Sequence, residues 1–224
     1  RGGAVHVVAG TAEFDACRFE SNSASKGNGG GTFYVQGGSV VFRGGIVRGS
    51  TALGTPQSFW IEEGGDVRYY LRPYPAPRGF WMETAGKEYA QLATGATIDI
   101  PYRCSAGLKG GIDLMSQNNP LCGGTCDEGY YCDDPTAAPK LCESGTYCGP
   151  GAATPRPCPE GTFRSLPGGT SESSCDKTSP GSYSPLQSTG QTPCNTGSFS
   201  NSTGQRSCTR CIAGTYQDVP GSTA

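Results

Sequence analysis

Cysteine is the residue type with the greatest chemical capacity in this chain. Eleven of the twelve cysteines lie between Cys104 and Cys211. Their thiols could bind zinc or form disulfides, but four-cysteine zinc sites usually contain paired CxxC segments. The sequence contains one such segment, Cys208-Thr-Arg-Cys211, and its single histidine, His6, is distant in sequence. Because dense cysteines with few large apolar residues are typical of disulfide frameworks, we predict disulfides, no metal, no cofactor and a secreted or cell-surface location.

The composition argues against one globule held together by a hydrophobic core alone. Of 224 residues, 36 are glycine and 34% are hydrophobic, so folding needs covalent cross-links or stacked repeats. The net charge of −2 gives no electrostatic footprint for nucleic acid. No apolar run approaches the ~20 residues of a membrane span. The chain opens in RGGAVHVV, without an initiator methionine, and we interpret it as a segment of a longer protein.

Short units of cysteine, glycine and an aromatic residue recur after Cys122. The units C-D-E-G-Y-Y-C, C-E-S-G-T-Y-C and C-P-E-G-T-F start at Cys126, Cys142 and Cys158, a period of 16 residues. Glycine suits a tight turn, and one aromatic residue per unit is too little for a core. Since each disulfide typically stabilises by ~2–4 kcal/mol, we predict that residues 122–224 form an elongated, disulfide-stapled rod of repeats, with little regular secondary structure, that continues beyond the C-terminus.

These units resemble the cysteine-rich repeats of ephrin-receptor-like and tumour-necrosis-factor-receptor-like modules across residues 122–224. The resemblance implies that the cysteine before each glycine–aromatic pair bridges to the cysteine that closes its unit. It therefore implies the pairs Cys158–Cys175 and Cys194–Cys208, with Cys211 bridged to a cysteine beyond Ala224. Pairing stays open among the remaining cysteines of this region, which are Cys104, Cys122, Cys126, Cys132, Cys142 and Cys148.

One unit, SPGSYSPLQSTGQTPC at residues 179–194, departs from this pattern. We place Ser179 where an opening cysteine would stand. Cys194 cannot both close this unit and open the next, so the simplest account is that both cysteines of the unit have been lost together. We expect this unit to be the least cross-linked part of the rod.

The N-terminal part repeats with a period of 26 to 28 residues. The segments HVVAG, FYVQGG and FWIEEGG align, which places Val8, Val35 and Ile61 in one slot. The segments AEF at 12–14, VVF at 40–42 and VRY at 67–69 align next. Apolar residues alternate within these segments, which indicates short strands, and such a period is typical of stacked coils. Cys17 falls on a third inward strand, with Phe19, Gly45 and Val47 in the same strand of the first two coils, and we predict that it is a free, buried thiol.

The segments GGAV at 2–5 and FESN at 19–22 resemble the repeats of polymorphic outer-membrane proteins, which form right-handed β-helices used as surface adhesins. The resemblance implies an all-β fold with the last coils of a longer right-handed parallel β-helix at residues 1–75. Pro73, Pro75 and Pro77 then interrupt strand pairing. We predict a capping and connecting region at 76–121, in which residues 79–104 cover the open end of the stack and 96–102 alternate like a strand.

Several side chains are candidates for modification or binding. Asn201-Ser202-Thr203 is an N-glycosylation sequon in a turn-rich stretch, and residues 164–204 are rich enough in Ser, Thr, Pro and Gly to carry O-glycans. Tyr34 and Trp60 share a slot one coil apart. They form an exposed contact surface for a sugar or a protein if Val35 and Ile61 point inward, and belong to the core if the strand is reversed.

We predict no enzymatic activity and no catalytic residue. A β-helix that cleaves polysaccharides needs clustered carboxylates, but none of the acidic candidates repeats in one slot on neighbouring coils; they are Glu13, Asp15, Glu62, Glu63 and Asp66. The sequence instead favours an extracellular structural glycoprotein that assembles with copies of itself or with other structural glycoproteins. The combination of repeats resembles large surface proteins of protists and algae, including those of flagellar hairs (mastigonemes). The main alternative is a cell-surface adhesin or receptor ectodomain that binds a protein or a glycan, and a remote alternative is a β-helix enzyme that acts on polysaccharides.

Overall fold

The computed structural model describes residues 5–24, 31–52, 55–72, 75–83, 89–93 and 99–223. The chain divides into two compact units, both built from β-structure. The first unit holds residues 1–105, 109–124 and 135–137, and the second holds 106–108, 125–134 and 138–224. The predicted boundaries after residues 75 and 121 are not distinguished by this division and stay predictions.

The first unit consists of short strands that recur in each sequence repeat of 26 to 28 residues, here called a coil. They are β1 (Val5–Val7), β2 (Thr11–Asp15), β3 (Arg18–Glu20), β4 (Ser23–Ala24), β5 (Phe33–Val35), β6 (Gly38–Arg43), β7 (Ile46–Arg48), β8 (Thr51–Ala52), β9 (Thr55–Pro56), β10 (Phe59–Ile61) and β11 (Gly65–Tyr70). Strand β5 pairs in parallel with β1 and β10, and β6 pairs in parallel with β2 and β11. β3 and β4 pair in parallel with β7 and β8. The predicted stack of small parallel sheets is therefore present.

The register corrects one predicted slot. Val7, not Val8, lies opposite Val35, and Val35 lies opposite Ile61. Val8 is 58% exposed. Two adjacent valines satisfied the same apolar pattern in the sequence, and the two-residue period of β1 selects Val7. The second predicted set is confirmed, because Ala12, Val40 and Val67 share a slot.

Phenylalanine side chains fill the interior of the coils. Phe33, Phe42 and Phe59 have no exposed surface. The rings of Phe33 and Phe59 stack with centroids 5.2 Å apart, and Phe42 meets Phe33 edge-on at 5.2 Å. Both arrangements are preferred by aromatic pairs. Phe14 stacks on Phe42 from the first coil but stays half-buried, so burial increases from the first coil to the second.

Cys17 is unpaired but only half-buried. Its Sγ donates to the carbonyl oxygen of Asp15 at 3.4 Å, and its own carbonyl accepts from Ile46 N–H at 2.9 Å. The predicted burial is wrong because, among the described residues, the adjoining strand β3 is covered on one side only, by β7.

Antiparallel elements cover the third coil. They are β12 (Phe80–Trp81), β13 (Tyr89–Leu92) and β14 (Tyr102–Arg103), followed by the short helix α1 (Leu114–Gln117). Strand β13 pairs with β11, β12 pairs with β14, and Ile100 exchanges two backbone hydrogen bonds with Val47. Phe80 and Ile100 join the buried core, which agrees with the cover predicted for residues 79–104.

Parts of some predictions fall outside the described residues, namely Pro73, positions 96–98 and most of GGAV at 2–5. Of the FESN segment, Asn22 Nδ2 donates to Thr32 Oγ1 in the second coil at 3.2 Å. The handedness of the coils stays a prediction. Within the described part of the chain, no helix has the length and apolar character needed to cross a membrane.

The second unit consists of small antiparallel hairpins of two-residue strands. They are β15 (Tyr130–Tyr131) with β16 (Lys140–Leu141), β17 (Thr146–Tyr147) with β18 (Arg156–Pro157), β19 (Thr162–Phe163) with β20 (Asp176–Lys177), β21 (Ser182–Tyr183) with β22 (Thr192–Pro193), and β23 (Ser198–Phe199) with β24 (Thr209–Arg210). One 3₁₀ turn, Glu172–Ser174, lies in the third hairpin. This disulfide-rich region has the little regular structure that its sequence predicts.

Replacing Phe42 by alanine should destabilise the first unit by about 3–5 kcal/mol, because it leaves a cavity among fully buried rings. Phe14→Ala removes the same side chain from the same slot in the first coil, where the ring is half-buried, and should cost about half as much. Both tryptophans, Trp60 and Trp81, lie in the first unit, so their fluorescence during denaturant unfolding reports its stability. Equal losses for the two variants would contradict the described burial.

Candidate functional site: the cysteine ladder and the aromatic column

Five disulfides cross-link the cysteine-rich region. They are Cys104–Cys122, Cys126–Cys132, Cys142–Cys148, Cys158–Cys175 and Cys194–Cys208. The last two are the pairs that the sequence resemblance implies, and the first three are among the pairings that it left open. Their Cα atoms lie 5.7 to 6.2 Å apart, within the usual range. Cys211 is unpaired, and its bridge to a later cysteine stays a prediction.

The repeats of the second unit, here called the ladder, share one backbone arrangement. Each repeat starts at an opening residue that is followed three positions later by a glycine with positive φ. The opening residues are Cys126, Cys142, Cys158, Thr178, Cys194 and Cys211, and the glycines are Gly129, Gly145, Gly161, Gly181, Gly197 and Gly214. Their φ values lie between 77° and 88°, a region that side chains other than glycine rarely adopt. The repeated glycine is therefore required by the turn itself.

Both backbone groups of this glycine bind the next repeat. Gly161 O accepts from Thr178 N–H at 3.0 Å, and Gly161 N–H donates to Ser184 O at 2.7 Å. The same two bonds, to the next opening residue and to the residue six positions after it, recur at Gly107, Gly129, Gly145, Gly181 and Gly197. Because only backbone groups take part, these bonds do not depend on the side chains at positions other than the turn glycine.

A third backbone bond fixes the loop of each repeat on the repeat before it. The carbonyl oxygen of an opening residue accepts from a loop N–H of the following repeat, as Cys142 O does from Gly168 at 2.7 Å. The donors are Gly151, Gly168, Gln187, Gly204 and Gly221, and all have positive φ. Gln187, at 62°, is the non-glycine member of this set.

The structure corrects the position of the lost cysteine. Thr178, not Ser179, is the opening residue of its repeat, since its N–H binds Gly161 and the glycine Gly181 follows three positions later. Thr178 has no exposed surface, and its Oγ1 donates to Gly161 O at 3.2 Å and accepts from Gln205 N–H at 2.9 Å. The hydroxyl therefore satisfies polar groups that surround a position held by cysteine in the neighbouring repeats.

Gln191 stands at the corresponding closing position. Cys175 and Cys208 each lie three residues before the next opening residue, and Gln191 lies three residues before Cys194. Its Oε1 accepts from Ser179 N–H at 2.7 Å. Both ends of the expected bridge are thus occupied by polar side chains, as joint loss of the two cysteines requires.

An aromatic side chain follows each turn glycine by two positions. Tyr131, Tyr147, Phe163, Tyr183 and Phe199 occupy this slot and are half-buried, whereas Tyr216, in the slot of the last repeat, is 84% exposed. Lys140 is paired with Asp133 at 2.7 Å and lies over the Tyr131 ring at 5.7 Å. The hydrogen bond from Lys140 lowers the pKa of the Asp133 carboxyl. The aromatic slot therefore packs within the hairpins while leaving part of each ring accessible.

The first-unit candidates Tyr34 and Trp60 share a column with His6. Register places His6, Tyr34 and Trp60 opposite one another on β1, β5 and β10. Tyr34 is only 4% exposed, its hydroxyl donates to the Glu62 carboxylate, and its ring meets that of His6 edge-on at 4.7 Å. Val35 and Ile61 are buried, which is the alternative that predicted an exposed Tyr34, but Tyr34 is covered because its column neighbours flank it on both sides. Trp60 is partly exposed.

The acidic candidates of the first unit are held by arginine. Arg43 contacts Glu13 at 2.7 Å and Asp15 at 3.5 Å, and Arg68 contacts Asp66 at 2.6 Å. The hydrogen bond from Arg43 lowers the pKa of Glu13. Glu13 on β2 thus pairs with Arg43 on the neighbouring strand β6. Glu63 is exposed, and Glu62 binds Tyr34. Among the described residues, no cluster of three or more His, Cys, Asp or Glu side chains could hold a metal.

The sequon lies on the surface of the second unit. Asn201 follows β23 after one residue, and Asn201, Ser202 and Thr203 are all exposed. Ser202 Oγ donates to Asn201 Oδ1 at 3.3 Å. The acceptor asparagine is therefore sterically accessible in the folded protein.

Comparison with known families gives a match to the end of the ladder. The model of the family described as tyrosine-protein kinase ephrin type A/B receptor-like matches residues 181–224. Residues 181–224 are an ephrin-receptor-like cysteine-rich region. This ephrin-receptor-like region begins at Gly181, three positions after Thr178, and includes the bridge Cys194–Cys208. Comparison with curated proteins returns no match. The five disulfides and the ephrin-receptor-like region together indicate an extracellular protein.

Gly161 and Gly197 offer a matched test of the contacts between repeats. Alanine at either glycine should cost about 1–2 kcal/mol because φ is positive. A Cβ at Gly161 would also collide with the backbone of Gly204, whereas a Cβ at Gly197 meets nothing within 4 Å. Gly161→Ala should therefore cost about 1–3 kcal/mol more.

Hydrogen exchange at the amides of residues 161 and 178, compared with those of 197 and 211, measures this difference locally. Equal loss of protection in the two variants would show that the close approach of Gly161 and Gly204 does not contribute to the stability of the ladder.

Proposed function

We propose that this chain is a structural segment of an extracellular glycoprotein that forms or coats a surface fibre, appendage or wall. The single observation that carries the proposal is the set of backbone hydrogen bonds that joins each ladder repeat to the next in the same way. Proteins built from such nearest-neighbour repeats can be lengthened one repeat at a time. The proposed role is to set length and to assemble with copies of the chain or with related structural glycoproteins.

The surface chemistry supports a role without catalysis. Glu13, Asp15 and Asp66 are engaged by arginine side chains, and an acid–base pair would need carboxylates directed at a shared substrate position. Arg43 joins neighbouring coils, because it lies on β6 and its partners Glu13 and Asp15 lie on β2, whereas Asp66 and Arg68 lie on the same strand, β11. The charged side chains of β2 and β6 therefore connect coils, which is the use expected in a structural protein.

A second candidate is an adhesin or receptor ectodomain, and Trp60 favours it. The indole lies at one edge of the His6–Tyr34–Trp60 column and keeps part of its surface accessible. Amphipathic aromatic side chains at such positions bind sugars and proteins well. In this case the partner would be a glycan or a protein on another surface, and the coils would present the binding face.

Electron microscopy of the purified native chain, kept free of reducing agent, tests the structural proposal. We expect regular filaments or sheets as the protein is concentrated, and we expect reduction of the disulfides to abolish them because the ladder depends on its bridges. Single, monodisperse particles at high concentration would reject self-assembly. Binding of such particles to a glycan or cell surface, lost in Trp60→Ala, would then establish the adhesin.

The glycoprotein part of the proposal rests on Asn201. Expression in secretory eukaryotic cells should add one glycan at this site, because the asparagine is exposed next to a hairpin. Intact-mass analysis should show its loss in Asn201→Gln and in Thr203→Ala. Ser202→Ala is the matched control, since the middle position of the sequon accepts alanine. If the parent protein, which keeps the sequon, has the mass of the unmodified chain, this assignment is contradicted.

A further inference from the structure

The repeat Thr178–Pro193 lies between two repeats that are closed by disulfides. Disulfide loops enclose residues 142–148, 158–175 and 194–208, and the repeat from Thr178 to Pro193 contains no cysteine. In its neighbours, the bridge keeps the two ends of each loop together even when hydrogen bonds break. In this repeat the corresponding positions are held by Thr178 and Gln191, whose hydrogen bonds can all be exchanged for water.

The same repeat carries a backbone conformation that disfavours its closed state. Gln187 has a φ of 62° at the loop position where Gly151, Gly168, Gly204 and Gly221 stand in the other repeats. A residue with a Cβ is disfavoured in this region relative to glycine. Its N–H nevertheless donates to Cys158 O at 3.0 Å. Opening of the loop therefore releases an unfavourable conformation here but not in the other repeats.

The loop around Gln187 is also open to solvent. Pro185, Leu186 and Gln187 are all exposed, as are Thr189 and Gly190. Leu186 is 57% exposed. An endoprotease must bind several residues of extended backbone, which a folded loop supplies only after local opening. This repeat combines an exposed loop with a low cost of opening.

We propose that the repeat Thr178–Pro193 is where the ladder opens locally, and that its loop is a site of limited proteolysis by an endoprotease that accepts a large apolar or aromatic side chain. Cleavage adds water across the peptide bond after Leu186, leaving a carboxylate on Leu186 and an amine on Gln187. Because no disulfide spans this bond, the two products are not covalently joined. The inference does not depend on self-assembly.

Limited digestion with chymotrypsin, without reducing agent, tests the proposal against a control within the chain. Phe163 occupies the same slot in the repeat closed by Cys158–Cys175 as Tyr183 does in the open repeat, and both rings are half-buried. The cut after Leu186 has no such control, because Leu166 is followed by Pro167 and chymotrypsin does not cleave before proline. Cleavage after Tyr183 should be faster than cleavage after Phe163 by about tenfold or more, since cutting follows the population of the open form.

Mass spectrometry assigns the cut, and non-reducing gel electrophoresis reports its consequence. Cleavage at 183–187 should yield two separate fragments, whereas a cut at 163–167 leaves the fragments joined through Cys158–Cys175. Equal rates at the two positions, or faster cutting at 163–167, would overturn the proposal, because exposure alone would then explain the digestion.

Two variants test whether local opening of the repeat, and not exposure of its loop, determines the rate of cleavage at 183–187. Thr178→Cys with Gln191→Cys places cysteines at the opening and closing positions, and the bridged protein, verified by mass, should be cut at 183–187 about tenfold more slowly. Gln187→Gly relieves the positive φ without a new bridge and should slow cutting by a few-fold. It provides the test if the double variant does not fold. Unchanged rates in a folded, bridged double variant, or in Gln187→Gly if that variant alone folds, would refute local opening as the cause.

Discussion

The left-handed turn glycine is the constraint on which the ladder depends. Its positive φ directs one backbone carbonyl and one backbone N–H towards the next repeat, where both are satisfied. At Gly161 and Gly181 a side chain would also collide with the loop two repeats later. The connection between repeats is therefore made by the main chain, and the rest of each repeat, including its disulfide, its aromatic residue and its loop length, can vary around it.

The two units are stabilised by different interactions. In the first unit, parallel strands of successive coils bury a continuous row of rings, so that Phe33, Phe42 and Phe59 lose all contact with water. In the second unit the aromatic residues are half-buried or exposed, and too little apolar surface is removed from water to offset the loss of chain entropy. Disulfides compensate by restricting the unfolded chain, which requires an oxidising, extracellular setting.

Sequence patterns were reliable where a physical period enforces them and unreliable where two neighbours fit equally well. Alternation predicted Ala12, Val40 and Val67 correctly, because a shift by one residue would expose them. It could not separate Val7 from Val8, nor foresee that flanking strands bury Tyr34. The predicted position of the lost cysteine, Ser179, is one residue too late. Counting from the glycine, whose backbone sets the repeat, identifies Thr178. The bridges Cys126–Cys132 and Cys142–Cys148 could not be derived, since pairing depends on how the chain folds back.

Thr178 shows that a repeat can be hydrogen-bonded to the repeats beside it without being closed by a disulfide. Its backbone makes the same bonds as the opening cysteines, and its hydroxyl binds Gly161 and Gln205 where a sulfur would otherwise bridge. A repeat can therefore lose its disulfide without losing its place in the ladder. The order of the repeats is then set by backbone geometry, while the stability of each repeat is set independently by whether its opening and closing positions hold cysteine. A ladder of this kind can carry a weaker repeat at one position and keep its register on either side.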